Sequence, residues 1–197
     1  CLAYYAYLVQ KNEISIEELR NFGKKNSYLG GHQDRNKIGD IYASTGSLGH
    51  GLPIAVGAAM AKKIMKKDGK VFCVIGDGEA NEGTIWESCL MASRNKLNNL
   101  VCIIDNNSSQ TRSLQVENLG NKFQAFGLEV WDIDGHDIKM LSRAIIDRTL
   151  DKRPLAVVAN TVKGKGISEM ESDMFAWHHR APSEDEYKRF MREIDES

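Results

Sequence analysis

The sequence predicts an α/β protein built as a three-layer, doubly wound and mainly parallel sheet. Short β-rich runs alternate with helical segments through the second half of the chain, which is the pattern of βαβ units. The runs at 71–75 and 100–104 show no polar–apolar alternation, as expected for strands buried on both faces. No linker, repeat or low-complexity tract interrupts the 197 residues, so residues 1–197 are expected to form a single domain.

The elements follow in order along the chain. Residues 13–25 have an acidic start and a basic end, which favours a helix through its dipole. A glycine-rich turn, STGSLGHG, opens a second helical region at 47–67, and a capping-box pattern, SEDE, opens a closing helix at 183–196. The remaining predicted elements are strands at 71–75, 100–105, 128–133 and 155–160, and helices at 82–96, 117–126 and 137–150.

The composition argues against several classes of partner. The net charge of −1 gives no bulk attraction to nucleic acid or membranes, although a local basic patch is compatible with it. No apolar run approaches the roughly 20 residues of a membrane span. We therefore expect neither a nucleic acid nor a membrane partner.

The cysteines indicate a reducing compartment. Cys73 and Cys102 lie inside apolar runs and Cys89 lies in a predicted helix, which is typical of buried reduced thiols. We predict a cytoplasmic location. No CxxC pair is present, so there is no zinc or thioredoxin signature. The first residue is Cys1 rather than Met, and we expect the natural product to begin upstream.

Two polar turns follow the two most apolar strands. Asp77, in Gly-Asp-Gly, follows the run at 71–75, and Asn107 follows the run at 100–104. Ligands of parallel sheets bind outside the carboxyl ends of the strands, so these side chains converge if the strands are neighbours. One carboxylate and one amide form a good partial site for Mg²⁺, which keeps positions for phosphate and water. Gly76 and Gly78 let the backbone approach a phosphate. The alternative is that Asp77 only caps a helix.

Seven short blocks, running in family order over nearly the whole chain, carry a family resemblance. The chain resembles the N-terminal, cofactor-diphosphate-binding part of transketolase, especially the split form made as two subunits. The blocks are GGHQDRN (30–36), STGSLGHGL (44–52), GDGEANEGTIWE (76–87), DNN (105–107), DGHD (134–137), TVKGKG (161–166) and WHHRAP (177–182).

The resemblance implies a thiamine diphosphate site with Mg²⁺. Asp77, the Asn107 side chain and the Ser109 carbonyl would hold the metal, although the loop after Asn107 lacks the Asp-Gly that the family often shows. Gly78 would lie against the diphosphate, and Gly46 and Leu48 would contact the aminopyrimidine through their backbones.

The resemblance also assigns residues around the reacting end of the cofactor. His32 and His178 would line the thiazolium and diphosphate, and the Lys163 backbone would lie near the diphosphate. Glu82 and Glu87 would link two active sites across a dimer.

Each of these residues also has a structural interpretation. His32 could be an ordinary turn residue, His50 could pack or cap, and His136 could cap the helix at 137–150 or belong to the site. Glu82 and Glu87 are five residues apart, and a solvated acidic face is the alternative for them. His178 is preferred over His179 because it follows Trp177 at the family spacing.

The implied function is that of an enzyme component in carbohydrate metabolism. It would transfer a two-carbon ketol unit from a ketose phosphate to an aldose, together with a C-terminal, pyrimidine-binding transketolase subunit, in a dimer or heterotetramer. The family's upstream Lys-Gly-His and its catalytic glutamate are absent from this sequence, so the chain alone is expected to be inactive. Ile85, Trp86, Leu90 and Met91 are expected to be partly exposed on a dimer-facing helix. The alternatives are a 1-deoxyxylulose-5-phosphate synthase-like or other thiamine diphosphate-dependent transferase, and a non-catalytic cofactor-binding or scaffold protein.

Overall fold

The described strands form one parallel sheet. The computed structural model describes residues 1–39, 41–111, 114–146, 153–178 and 180–196. Strands β1 (Val71–Gly76), β2 (Leu100–Asn106), β3 (Glu129–Asp134) and β4 (Leu155–Asn160) lie in the order β1-β2-β4-β3, and each neighbouring pair is parallel. The predicted α/β class with a parallel sheet is confirmed.

Helices cover both faces of the sheet. Helices α3 (Gly51–Ile64), α4 (Gly83–Arg94) and α5 (Leu119–Ala125) share one apolar core with alternate side chains of β1, β2 and β4. Helix α6 (Ile138–Ile146) packs Ala144, Met140 and Leu141 against the opposite face. The other helices are α1 (Leu2–Gln10), α2 (Ile16–Arg20), α7 (Ser168–Ser172) and α8 (Glu184–Asp195), and 3-10 turns occupy Gly78–Asn81 and Ala176–His178.

The predicted helix at 13–25 is wrong in length. Its start is a capping box between Ser15 and Glu18, but α2 ends at Arg20. Gly23 and Asn26 then adopt positive φ, which a right-handed helix cannot accommodate. Helix α1 was not predicted at all. The last four residues of the predicted helix at 137–150 lie outside the described residues.

Strand β1 is not buried on both faces. Phe72 is 50% exposed and Val74 is 68% exposed, while Cys73 and Ile75 point into the core. β1 is one edge strand of the described sheet, whereas α6 packs against β3, the strand at the other edge. The unbroken apolar run therefore predicted the strand correctly. The prediction that both faces of this strand are buried is wrong for β1. β2, which lies inside the sheet, matches the prediction, and β4, for which burial on both faces was not predicted, is also buried along most of its length.

A small second core holds the N-terminal helices against the loop that carries His32. Tyr5, Leu8, Leu29, Ile38 and Ile41 are buried together. The Tyr5 hydroxyl contacts the Gly30 carbonyl at 3.0 Å and the His32 carbonyl at 3.3 Å. This core fixes the backbone of the His32 loop. Within the described residues, no helix has both the length and the apolar character needed to span a bilayer.

Candidate functional site

The two polar turns meet because β1 and β2 are neighbours. Gly76 pairs with Asp105 at the carboxyl end of the sheet, and the Asp77 amide donates to the Asp105 carbonyl at 3.1 Å. Asp77 and Asn107 therefore follow the ends of two neighbouring strands. This is the arrangement in which the sequence predicted that their side chains converge.

Asp77 has one oxygen without a partner. Its side chain is buried, and Oδ1 accepts from the Gly78 amide at 2.8 Å and from the Ser109 hydroxyl at 3.5 Å. Oδ2 is buried with no hydrogen bond. Burial raises the pKa of Asp77, and the nearby Asp105 carboxylate raises it further. Asp77 does occupy the N-cap of the 3-10 turn, as the alternative proposed, but capping uses only one of its oxygens.

A hydrogen-bond chain sets the orientation of Asn107. Its Nδ2 donates to Asp105 Oδ2 at 2.8 Å, and its Oδ1 accepts from the Ser109 amide at 3.0 Å. The Thr161 hydroxyl donates to the other Asp105 oxygen. Asp105 and Thr161 were not identified as site residues from the sequence, since their role depends on β2 and β4 being neighbours.

The donor set suits a hard cation. An unpaired, buried carboxylate oxygen is costly unless a positive charge compensates it. Among the described residues, no three His, Cys, Asp or Glu side chains form a metal-binding group. Mg²⁺ does not need such a group, because it accepts few carboxylates together with amide or carbonyl oxygens and water. Asp77, Asn107 and the Ser109 backbone fit that chemistry.

The glycine-rich turn at 46–50 lies beside His32. Gly46 has φ +123°, and a Cβ there would approach His32 Cγ to 3.1 Å. Leu48 is exposed at the tip of the turn. A cavity of about 330 Å³ is lined by residues that include Tyr28, His32, Gln33 and Thr45. His32 thus contacts the 46–50 turn and also lines this cavity.

His50 and His136 have structural contacts. His50 stands at the N-cap position of α3 without capping it; its Nδ1 contacts the Leu48 carbonyl at 3.0 Å. His136 does not cap α6, because Asp137 Oδ1 accepts from the Lys139 and Met140 amides instead. His136 Nε2 accepts from the Val162 amide at 2.8 Å and so supports the loop after β4.

That loop brings Lys163 and His178 together. Lys163 Nζ is in hydrogen-bond contact with His178 Nδ1. The loop starts at Thr161, whose amide donates to the Asn106 carbonyl at 3.2 Å, so it leaves the same end of the sheet as Asp77 and Asn107. His179, the alternative to His178, lies outside the described residues.

The acids of the 76–87 block differ in their surroundings. Glu82 and Glu87 are both exposed on α4 and its N-cap. Glu79, which the sequence did not indicate as a site residue, is partly buried and accepts hydrogen bonds from the Gly49 amide at 2.8 Å and the Gly76 amide at 3.4 Å. A GDG followed by an acid gives no signal for this contact, because Gly49 is 30 residues away.

The predicted exposed patch on α4 is partly wrong. Ile85 is fully buried, against the prediction, whereas Trp86 is partly exposed as predicted, with its ring centroid 5.0 Å from those of Phe123 and Phe126. Leu90 and Met91 are 56% and 52% exposed, as expected. Trp86 thus packs against α5 and the residue that follows it, and Ile85 is enclosed in the core shared with the sheet.

A family model matches almost the whole chain. The model "Transketolase, thiamine diphosphate binding domain" matches residues 1–194. One subunit of the apulose-4-phosphate transketolase of Phocaeicola vulgatus is 38% identical over 201 residues, covering 98% of this chain and 70% of that protein. A 6-deoxy-6-sulfo-D-fructose transketolase subunit of Clostridium sp. is 33% identical, covering 98% of this chain and 72% of that protein.

Solved structures agree with these matches. Transketolase from Campylobacter jejuni superposes with a TM-score of 0.83 at 32% identity, over 93% of this chain. The match covers 30% of that solved chain. This chain therefore spans about 70% of the length of the two relatives that are transketolase subunits, but less than a third of the length of the solved transketolase.

Proposed function

Because this chain belongs to the family of transketolase thiamine diphosphate-binding domains, we propose that it is the diphosphate-binding component of a transketolase-type enzyme. It binds thiamine diphosphate through Mg²⁺ and takes part in moving a two-carbon ketol unit from a ketose phosphate to an aldose. The observation that supports the metal is the unpaired, buried Oδ2 of Asp77, which lies at the strand end next to Asn107.

The residues of this chain bind and orient the cofactor. Asp77, Asn107 and the Ser109 carbonyl hold Mg²⁺, while Gly76 and Gly78 leave room for the diphosphate. Gly46 and Leu48 hold the aminopyrimidine through their backbones. Bound thiamine diphosphate would supply the carbon nucleophile that breaks the bond beside a ketose carbonyl.

The two histidines contribute donors at the reacting end. His178 Nδ1 faces the Lys163 ammonium, which only donates, so this nitrogen is the acceptor and Nε2 carries the proton. In this proposal His178 lies near the diphosphate, as the resemblance implies. His32 lies beside the 46–50 turn, and Glu82 and Glu87 are exposed, where a second copy of the chain can reach them.

A partner chain completes the active site in this proposal. Both relatives described above are named as subunits of transketolases, which implies a second subunit in those proteins. We propose that the partner is a C-terminal, pyrimidine-binding subunit, and that the assembly is a dimer or heterotetramer. The buried free thiols Cys73, Cys89 and Cys102 support a cytoplasmic location.

Calorimetric titration of the assembled protein tests the metal site. Asp77→Ala should weaken Mg²⁺-dependent binding of thiamine diphosphate by about 100-fold or more, and Asn107→Ala by about tenfold. Asp68→Ala, which changes an exposed loop aspartate, is the control and should bind normally. Normal affinity in Asp77→Ala would disprove the metal assignment.

Turnover tests the reaction and separates the alternatives. We expect release of an aldose phosphate from xylulose 5-phosphate only when the pyrimidine-domain subunit is added. The names of the relatives refer to different sugars, so the assay should include several ketose phosphates. Condensation of pyruvate with an aldehyde would indicate the 1-deoxyxylulose-5-phosphate synthase-like alternative. Cofactor binding without turnover on any donor would favour a non-catalytic binding protein.

A further inference from the structure

We propose that Glu79 is a positioning residue that fixes the two halves of the cofactor site relative to each other. The two halves are the 76–79 turn, which carries the metal ligand Asp77, and the 46–50 turn, which carries the Gly46 and Leu48 contacts. This inference rests on the proposed function, because it concerns how the same site holds its ligand.

Glu79 joins the two turns with its two carboxylate oxygens. Oε1 accepts from the Gly49 amide at 2.8 Å, and Oε2 accepts from the Gly76 amide at 3.4 Å. The second bond stays within the 76–79 turn, while the first spans 30 residues of sequence. The shorter of the two contacts is therefore the one between the halves of the site.

Gly49 is held by the segment 79–84 at a second point as well. Its carbonyl accepts from the Thr84 hydroxyl at 2.8 Å, so both polar groups of its backbone are held by the segment 79–84. A Cβ at Gly49 would lie 2.4 Å from Thr84 Oγ1 and 2.6 Å from Glu82 Cβ. The backbone at Gly49 is thus pressed directly onto the start of α4.

A carboxylate suits this position better than an amide. Both partners of Glu79 are backbone donors, so the residue must accept twice, and a carboxylate offers two acceptor oxygens whereas an amide offers one. The negative charge is felt by the neighbouring Cys73, whose pKa is raised to about 12 mainly by burial and further by Glu79. A glutamine would satisfy one of the two amides and present its own N–H group to the other.

Because Glu79 connects the two turns, its loss should change the affinity of two classes of ligand to different extents. Thiamine diphosphate would contact both turns, and its affinity would depend on their separation. Inorganic diphosphate with Mg²⁺ would contact the 76–79 turn, the metal ligands and the other residues assigned to the diphosphate, but not the 46–50 turn. Loss of the bridge should therefore weaken the first ligand much more than the second, because only the first needs both turns in register.

The test compares Glu79→Ala, Glu79→Gln and wild type, each with the partner subunit. Glu193→Ala is the matched control, since Glu193 also accepts a distant backbone amide, that of Ser168 at 2.8 Å, but does so on α8. We expect Glu79→Ala to lower the affinity for thiamine diphosphate about tenfold and that for Mg²⁺-diphosphate less than about twofold. Glu79→Gln should fall between Glu79→Ala and wild type, and Glu193→Ala should match wild type.

Amide hydrogen exchange on the ligand-free protein gives an independent result. The Gly49 amide should exchange about tenfold faster in Glu79→Ala than in wild type or Glu193→Ala. Unchanged exchange at Gly49, or an equal loss of affinity for both ligands, would overturn the positioning role. Failure of wild type to bind thiamine diphosphate would refute the proposed function instead, and the exchange result would still decide whether Glu79 holds the two turns together.

Discussion

Gly49 shows at the scale of a single residue how the site restricts its own sequence. Its φ of +79° is in the region that favours glycine, and its Cβ position is occupied by Thr84 and Glu82. Both the backbone conformation and the close approach therefore require glycine here. The neighbouring Gly46, at φ +123°, has the same conformational demand but meets only the ring of His32.

We expect Gly49→Ala to lower the free energy of unfolding by about 2 kcal/mol or more, because strain and steric overlap add. Urea unfolding of the purified chain measures it. The control is Gly57→Ala in α3, where a Cβ meets nothing within 4 Å; it should raise the free energy of unfolding by about 0.5–1 kcal/mol. Equal stability of the two variants would show that the 46–50 turn is looser than described.

At the scale of elements, α8 holds the short turn that carries His178. Arg180 lies over the Trp177 ring at 3.6 Å from its centroid, and both of its terminal nitrogens donate to Glu186 at 2.9 Å. Glu186 also completes the predicted capping box with Ser183. Trp177 in turn packs edge-on against Phe190 of α8. The 3-10 turn at Ala176–His178 is therefore oriented by a helix that follows it.

The contacts of Glu186 predict that the free energy of unfolding depends on pH. The hydrogen bonds from Arg180, and then those from Ser183, lower the pKa of Glu186 from 4.5 to about 2. Because the folded-state pKa is depressed, the stabilisation is complete above about pH 4.5 and is lost as the pH falls towards 2. Arg180→Gln should return the Glu186 pKa towards 4.5.

NMR titration of the Glu186 carboxyl carbon measures this shift. Arg192→Gln, on the same helix, is the control and should leave the Glu186 pKa low, since Arg192 donates to the Lys188 carbonyl instead. If Arg180→Gln also leaves the Glu186 pKa low, the hydrogen bonds of the Ser183 cap, rather than those of Arg180, are the main cause of the low pKa.

At the scale of the whole molecule, apolar side chains remain exposed next to the site. Leu90 and Met91 on α4 are more than half exposed, and α4 begins shortly after the 76–79 turn. Exposed apolar groups of this kind favour association between chains. A contact through this helix would place the exposed Glu82 and Glu87 close to the interface.

We expect the purified chain to self-associate through this part of α4, and Leu90→Glu to weaken that association by about tenfold or more. Sedimentation velocity over a range of concentrations gives the dissociation constant. The control is Ile64→Glu at the end of α3, where the side chain is 74% exposed. An equal effect of the two variants would indicate non-specific apolar association rather than an α4 interface.

The sequence alone was sufficient for the parallel α/β class and the approximate positions of the four described strands. These follow from local physics: apolar runs, turn residues and helix caps act within about ten residues of chain. The same local signals placed Asp77 and Asn107 at strand ends. The seven ordered blocks then indicated the family, which the family model and the solved structures confirm.

Only the tertiary structure decided which residues meet. The pairing of β1 with β2 brings Asp77 to Asn107, and the pairing of β2 with β4 brings Thr161 to Asp105. The contact of Glu79 with Gly49, the burial of Ile85 and the exposure of Val74 are likewise invisible in the sequence. The physical reason is that hydrogen bonds and burial depend on the arrangement of whole elements, whereas propensities and caps depend on neighbours in the chain.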